Sequence, residues 1–159
     1  MENESVKILS VTEEDLAEIL NLQYLAYQAE AILAKNPDIP PLKQTLAELY
    51  EEFRAGTILK AVDDAGKILG SVRYFQNGDT VAIGKLMVLP EYQGCGLGTR
   101  LLHTVECNCP GKRLELFTGK NSQRNIAWYE KCGFSRFKEQ VASENLTLVY
   151  LEKNPENTK

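Results

Sequence analysis

The run Val88-Leu89-Pro90-Glu91-Tyr92-Gln93-Gly94-Cys95-Gly96-Leu97-Gly98-Thr99-Arg100 sets three glycines where an apolar stretch, residues 81–89, gives way to an amphipathic one, residues 97–107. A helix that opens on glycine leaves its first backbone N–H groups bare, converging at the positive end of the helix dipole. Such a terminus suits phosphate or pyrophosphate. Side chains larger than glycine at 94, 96 and 98 would hold the anion away from the backbone. The spacing restricts the ligand. No Gly-x-x-x-x-Gly-Lys-Ser/Thr run occurs, and the dinucleotide pattern Gly-x-Gly-x-x-Gly fails at Thr99, beyond residue 90 rather than on a first strand. The pattern that does fit is Gln/Arg-x-x-Gly-x-Gly/Ala, met by Gln93, Gly96 and Gly98.

A second run, Ser122-Gln123-Arg124-Asn125-Ile126-Ala127-Trp128-Tyr129-Glu130-Lys131-Cys132-Gly133-Phe134, has a helix N-cap type at Ser122 and a stop at Gly133. It ends Tyr-x-x-x-Gly-Phe, through Tyr129, Gly133 and Phe134. With both runs in this order and a strand between them, the chain resembles the GNAT superfamily of acetyl-CoA-dependent N-acetyltransferases over most of its length. The resemblance implies that Gln93, Gly94, Cys95, Gly96, Leu97, Gly98 and Thr99 hold the pyrophosphate of coenzyme A. It also implies a bulged strand over residues 83–88, splayed from the strand 113–118, with pantetheine in the gap. Leu86, Met87 and Val88 would then meet the cofactor through main chain, although their side chains suit a core equally well.

Acetyl transfer from a thioester to an amine needs a neutral amine, a stabilised oxyanion and a proton for the departing thiolate. The resemblance gives the last task to Tyr129, since a phenol with a pKa near 10 keeps its proton at neutral pH. Packing beside Trp128 and Phe134 is the competing reading. Ser122 and Asn125 lie where relatives carry a cofactor-binding asparagine, and both also suit simple helix capping. Residues 81–89 contain no Asp or Glu, so the glutamate base of some relatives is missing. Tyr27 and Glu30 are the acceptor-side candidates, with a solvated helix charge as the plainer reading of Glu30. His103 reads as structural or exposed, Cys95 as a backbone contributor, and Arg73 as a surface charge rather than a contact to an acidic acceptor.

The elements that must position these groups are legible from periodicity and punctuation. A strand is expected at 6–11, then a helix from Thr12 through about residue 33, opened by Thr12-x-x-Asp15. Residues 36–41 (Asn-Pro-Asp-Ile-Pro-Pro) read as a linking loop, and a second helix covers 42–53, stopped at Ala55-Gly56. Strands at 57–62 and 67–75 flank a turn at 63–66, and a second turn at 76–79 leads into the strand 80–89. Helix 97–107, strand 113–118, helix 122–132 and strands 134–141 and 145–152 complete the order. The fold expected is α/β, a mixed sheet of about seven strands with helices on both faces, in one domain spanning 1–153 with a polar tail at 154–159.

Bulk properties narrow the function classes. The chain has 159 residues, 43% of them hydrophobic, which suits one domain with a full core. A net charge of −4 without a basic run argues against nucleic acid as partner. The 4 cysteines and single histidine form no Cys-x-x-Cys pair, so neither a metal site nor a disulfide framework is expected. No signal peptide or membrane span is apparent, and a cytoplasmic protein with reduced thiols is expected. The cosubstrate expected is acetyl-CoA. The partner expected is a small-molecule or peptide amine, with a homodimer allowed. Residues Glu30, Asp38, Glu48, Glu51 and Glu52 suggest an acidic rim that would draw a cationic amine. A longer acyl donor, or a non-catalytic coenzyme A-binding module, are the alternative functions.

Overall fold

The computed structural model describes residues 5–155. The acidic start at 1–4 and the tail from 156 onward lie outside the described residues. Seven strands form one mixed sheet in the order β1-β2-β3-β4-β5-β7-β6. Their spans are β1 Lys7–Ser10, β2 Thr57–Val62, β3 Ile68–Asn77, β4 Thr80–Val88, β5 Arg113–Gly119, β6 Ser135–Ser143 and β7 Leu146–Lys153. Every neighbouring pair is antiparallel except β4 and β5. The expected mixed α/β sheet is therefore the one observed.

The helices are α1 Leu16–Ala26, α2 Gln28–Ala34, α3 Pro40–Lys43, α4 Leu46–Ala55, α5 Leu97–Asn108 and α6 Gln123–Lys131. They cover both faces of the sheet. A Cβ on Gly70 of β3 would lie 3.2 Å from Leu101 of α5, so α5 packs on that side. Arg73, an odd number of residues along the same strand, faces the other side and meets α1 and α4. Leu69, Val72, Leu101, Val105 and Leu151 are fully buried between these layers. Truncating one such leucine to alanine should cost about 2–5 kcal/mol.

Three boundaries differ from the expected ones. The single helix expected over 12–33 is broken at Tyr27, whose φ of −92° and ψ of 3° end α1 before α2 begins. Apolar residues continue at helical spacing across the break, which is why periodicity misses it. The loop expected at 36–41 is shortened, because Pro40 and Pro41 occupy the first turn of α3, where proline's missing N–H costs nothing. The helix expected at 42–53 instead restarts as α4 after Thr45. There Thr45 Oγ1 accepts from the N–H of Glu48 at 3.1 Å, and the Glu48 carboxylate accepts from the N–H of Thr45 at 2.9 Å. This reciprocal cap uses Glu48, one of the acids of the expected rim.

Candidate functional site

Strands β4 and β5 pair only over Thr80–Ala82 against Arg113–Glu115, then diverge. The divergence has a local cause on the other edge of β4. Gly84 pairs with Arg73 and Met87 with Ser71, so Lys85 and Leu86 together oppose the single residue Val72. This is a β-bulge, and Lys85 carries a φ of 48° within it. The bend turns residues 83–88 away from β5 and opens a gap at the carboxyl ends of two parallel strands. In open α/β sheets that is where ligands bind. The sequence-based expectation of a bulged, splayed strand holds. Met87 is buried in the core, while Leu86 and Val88 are half-buried against it.

Two helix N-termini flank the gap. After β4 the chain makes a one-turn 3-10 segment, Pro90–Tyr92, and Gln93 Nε2 donates back to the carbonyl of Val88 at 3.1 Å. Gly94 and Gly96 then take φ values of 84° and 86°, a conformation that costs most L-residues about 1 kcal/mol or more. Gly96 is the N-cap of α5 and makes no side-chain cap bond, so among the described residues the N–H groups of the first turn are left for an anion. Gly94 has open space where a Cβ would stand. A Cβ on Gly98 would lie 3.5 Å from the indole of Trp128, an ordinary contact that alanine would make. Leu97 is buried and contributes only its backbone; Thr99 is exposed on the first turn. The thiol of Cys95 donates to the carbonyl of Tyr92 at 2.6 Å, in keeping with a structural part in the loop. These features fit the pyrophosphate of a nucleotide cofactor. A groove of about 460 Å³ between α5 and α6 begins at Thr99 and continues past Trp128 to Lys153.

The second terminus belongs to α6. Ser122 is its N-cap residue, yet its hydroxyl makes no cap bond. It donates instead to the carboxylate of Glu30 on α2, and Asn125 Nδ2 donates to the other carboxylate oxygen at 3.4 Å. Asn121 Nδ2 adds a bond to the carbonyl of Leu33 at 3.2 Å. The reading of Ser122 as a side-chain cap is thus corrected: an anion on α2 replaces the intrahelical partner. Glu30, an acceptor-side candidate whose plainer reading was a solvated helix charge, is half-buried and bonded. It stands beside the two residues expected at the cofactor.

Tyr129 lies one turn before the end of α6. Its ring meets Trp128 edge-on at 5.1 Å between centroids and Phe134 at 5.8 Å. Burial pushes its phenol pKa well above the ordinary tyrosine value, with the nearby Tyr27, Cys132 and Glu30 adding to the rise. Tyr27, at the break between α1 and α2, is pushed up in the same way, first by burial and then by Glu30, against the opposing Arg73. The expected acid and both acceptor-side candidates therefore share one neighbourhood. His103 is exposed on α5.

The sequence reading missed one cluster. Arg73, expected at the surface, is fully buried. Its Nη1 donates to Glu52 at 2.8 Å and to Gln44 at 3.1 Å, and its Nη2 donates to Gln23. Gln23 Nε2 bonds the Pro41 carbonyl at 2.7 Å, and Gln44 Nε2 bonds Glu52 at 2.7 Å. Arg73 is held by α1, the α3–α4 link and α4 at once. The available signal was a lone charge, Arg73, in a strand whose other residues are apolar or uncharged. The expected acidic rim is largely spoken for: Glu52 serves Arg73, Glu30 serves Ser122, Glu48 caps α4, and Asp38 lies 3.7 Å from Lys43. Only Glu51 of that set remains an exposed charge without such a task.

The Acetyltransferase (GNAT) family profile matches residues 15–134, from the start of α1 through the Tyr-x-x-x-Gly-Phe ending. The chain belongs to the GNAT acetyltransferase family. Its fold is similar to the ribosomal-protein-S18-alanine N-acetyltransferase of Escherichia coli, with a TM-score of 0.79 and 16% identity, covering 97% of this chain and 96% of that one. It is also similar to the PaiA N-acetyltransferase of Thermoplasma acidophilum in complex with coenzyme A, with a TM-score of 0.74 and 17% identity, covering 94% of this chain and 99% of that one. At these identities the likeness speaks for the fold. A curated relative, the UPF0157 protein YqkA of Bacillus subtilis, is 27% identical over 135 residues, which span 82% of this chain and 38% of YqkA. This GNAT chain therefore corresponds to well under half the length of that relative. Among the described residues, no helix is long and apolar enough to cross a membrane, and no group of three or more His, Cys, Asp or Glu is placed to hold a metal.

Proposed function

We propose that this GNAT chain moves an acetyl group from acetyl-CoA to a primary amine by direct attack, with Tyr129 as general acid. One observation supports the reading: an uncapped helix N-terminus, a gap between parallel strands and a tyrosine that keeps its proton are carried by the consecutive elements β4, α5, β5 and α6. Acetyl-CoA supplies the thioester. The N–H groups at the start of α5 bind its pyrophosphate, and main chain of residues 86–88 holds the pantetheine arm and meets the charge developing on the carbonyl oxygen. Ser122 and Asn125 border the same arm, with Glu30 fixing their orientation.

The acceptor ammonium first loses a proton to water at the mouth of the crevice, since β4 offers no carboxylate. The neutral nitrogen then forms the C–N bond as the C–S bond breaks. The thiolate takes the phenol proton of Tyr129, and the nitrogen's surplus proton returns through water to the phenolate. With a pKa at or above the ordinary phenol value, Tyr129 holds its proton at neutral pH, the state a general acid requires, while the upward shift itself makes it the weaker donor.

The test is to incubate the protein with acetyl-CoA and a panel of amines, following free thiol and acetylated product together. Thiol release matched by N-acetyl product supports the reading. Tight coenzyme A binding without turnover on any amine or acyl chain length would instead favour a coenzyme A-binding module.

A further inference from the structure

Lys85 stands in the bulge that opens the crevice, and its surroundings are short of acceptors. Its ammonium lies 4.0 Å from Glu52, beyond hydrogen-bond reach, and its side chain is only 24% exposed. Among the described residues it makes no hydrogen bond. Glu52 is already engaged by Arg73 and Gln44. Arg73 itself keeps a buried Nε without a partner. Two cations therefore share one carboxylate, and among the described residues neither the Lys85 ammonium nor the Arg73 Nε has a hydrogen-bond acceptor. The buried Nε of Arg73 carries the cost of an unmet donor, while the Lys85 ammonium reaches solvent and is open to a ligand. Glu30 is held by Ser122 and Asn125.

The backbone points the same way. Lys85 adopts a φ of 48°, which is uncommon for a residue other than glycine and clusters at functional sites. The conformation belongs to the bulge, so the element that parts β4 from β5 also sets Lys85 on the helix α4 side of the crevice. With two cations against the one carboxylate of Glu52, the local charge is positive, which disfavours a polyamine and favours an anion.

We propose that Lys85 binds a carboxylate carried by the acceptor, so that the acceptor is an amine bearing a nearby carboxylate, such as an amino acid or a peptide with a free α-carboxylate. The inference rests on the acetyltransferase reading and names its substrate class. Arg73 is a positioning residue in this account, holding Glu52 and adding positive potential behind Lys85.

The experiment uses the coenzyme A-saturated protein and two matched probe sets, N-acetylated amino acids and their carboxamides, titrated by calorimetry. In parallel, the free amino acids and their amides serve as acceptors with acetyl-CoA. Carboxylates should bind and react at least tenfold better than the matched amides. Lys85→Met should erase that preference while leaving coenzyme A affinity as it was, and Lys85→Arg should retain part of it. Equal behaviour of acids and amides, binding of neither, or acetylation confined to cationic polyamines overturns the inference while leaving the acetyltransferase reading intact. Failure of wild type to bind coenzyme A defeats both.

Discussion

The hydroxyl of Ser122 donates to the carboxylate of Glu30, across 92 residues of sequence, and Asn125 holds the second carboxylate oxygen at 3.4 Å. The bond ties helix α2 to the start of α6. It makes the position of one depend on the other. Hydrogen bonds to a charged group contribute about 1.5–3 kcal/mol. In a double-mutant cycle, Glu30→Ala and Ser122→Ala should each destabilise the fold, with a coupling of about 1–2 kcal/mol. Denaturant unfolding of the four proteins measures it. Additive effects would mean that Glu30 holds nothing at α6.

Arg73 and Glu52 form an unequal pair, with side chains 1% and 31% exposed. Removing Glu52 leaves a buried guanidinium short of its counter-charge, whereas removing Arg73 leaves a carboxylate that can rehydrate. Glu52→Ala should therefore cost about 3–5 kcal/mol, and Arg73→Met clearly less. Urea midpoints of the two variants decide the order. A larger loss in Arg73→Met would contradict it.

The order of elements was legible because glycines and prolines punctuate it: the turns at 63–66 and 76–79, the opening of α5 and the stop after α6 all fall where such residues stand. The open start of α5 was legible for the same reason, since Gly94 and Gly96 act through backbone conformation. Side-chain destinations were not. Nothing near Ser122 in sequence indicates that its hydroxyl leaves its own helix for Glu30. Arg73 and Lys85 look like strand charges until the covering helices α1 and α4 are in place. The break at Tyr27 was hidden by apolar periodicity that continues through it.

Asp15 offers a pH-dependent check on the N-terminal half. Burial works to raise its pKa, but bonds from Lys60 at 2.7 Å and from Thr12 at 2.8 Å outweigh it, and the net shift is downward. A depressed carboxyl contributes stability that is complete above its unfolded pKa of about 3.9 and is lost as pH falls through the lower folded value. Asp15→Asn should thus melt below wild type at neutral pH. The gap should narrow only at pH values under about 4. A constant gap from pH 7 to pH 2 would show that the charge plays no part.

Tyr129→Phe keeps the ring that packs on Trp128 and Phe134 and removes only the proton. Turnover should fall by about 10²–10⁴-fold with coenzyme A affinity unchanged. Because burial raises the phenol pKa, wild-type kcat/KM should climb with pH as the acceptor amine deprotonates, with no fall near pH 10 from loss of the Tyr129 proton. Steady-state kinetics across pH 6–10 on both proteins would check this. Full activity in the variant would return Tyr129 to a packing role.

The central claim is that the uncapped start of α5 binds the pyrophosphate of coenzyme A, and calorimetric melting with and without the ligand tests it most directly. At a concentration 100 times the dissociation constant, coenzyme A should stabilise wild type by about 2.7 kcal/mol. Gly96→Asp, which sets a carboxylate against the phosphates at a φ of 86° that Asp tolerates better than most residues, should keep the fold and lose the shift. A wild-type melting temperature that ignores millimolar coenzyme A, or an equal shift in Gly96→Asp, would contradict the account.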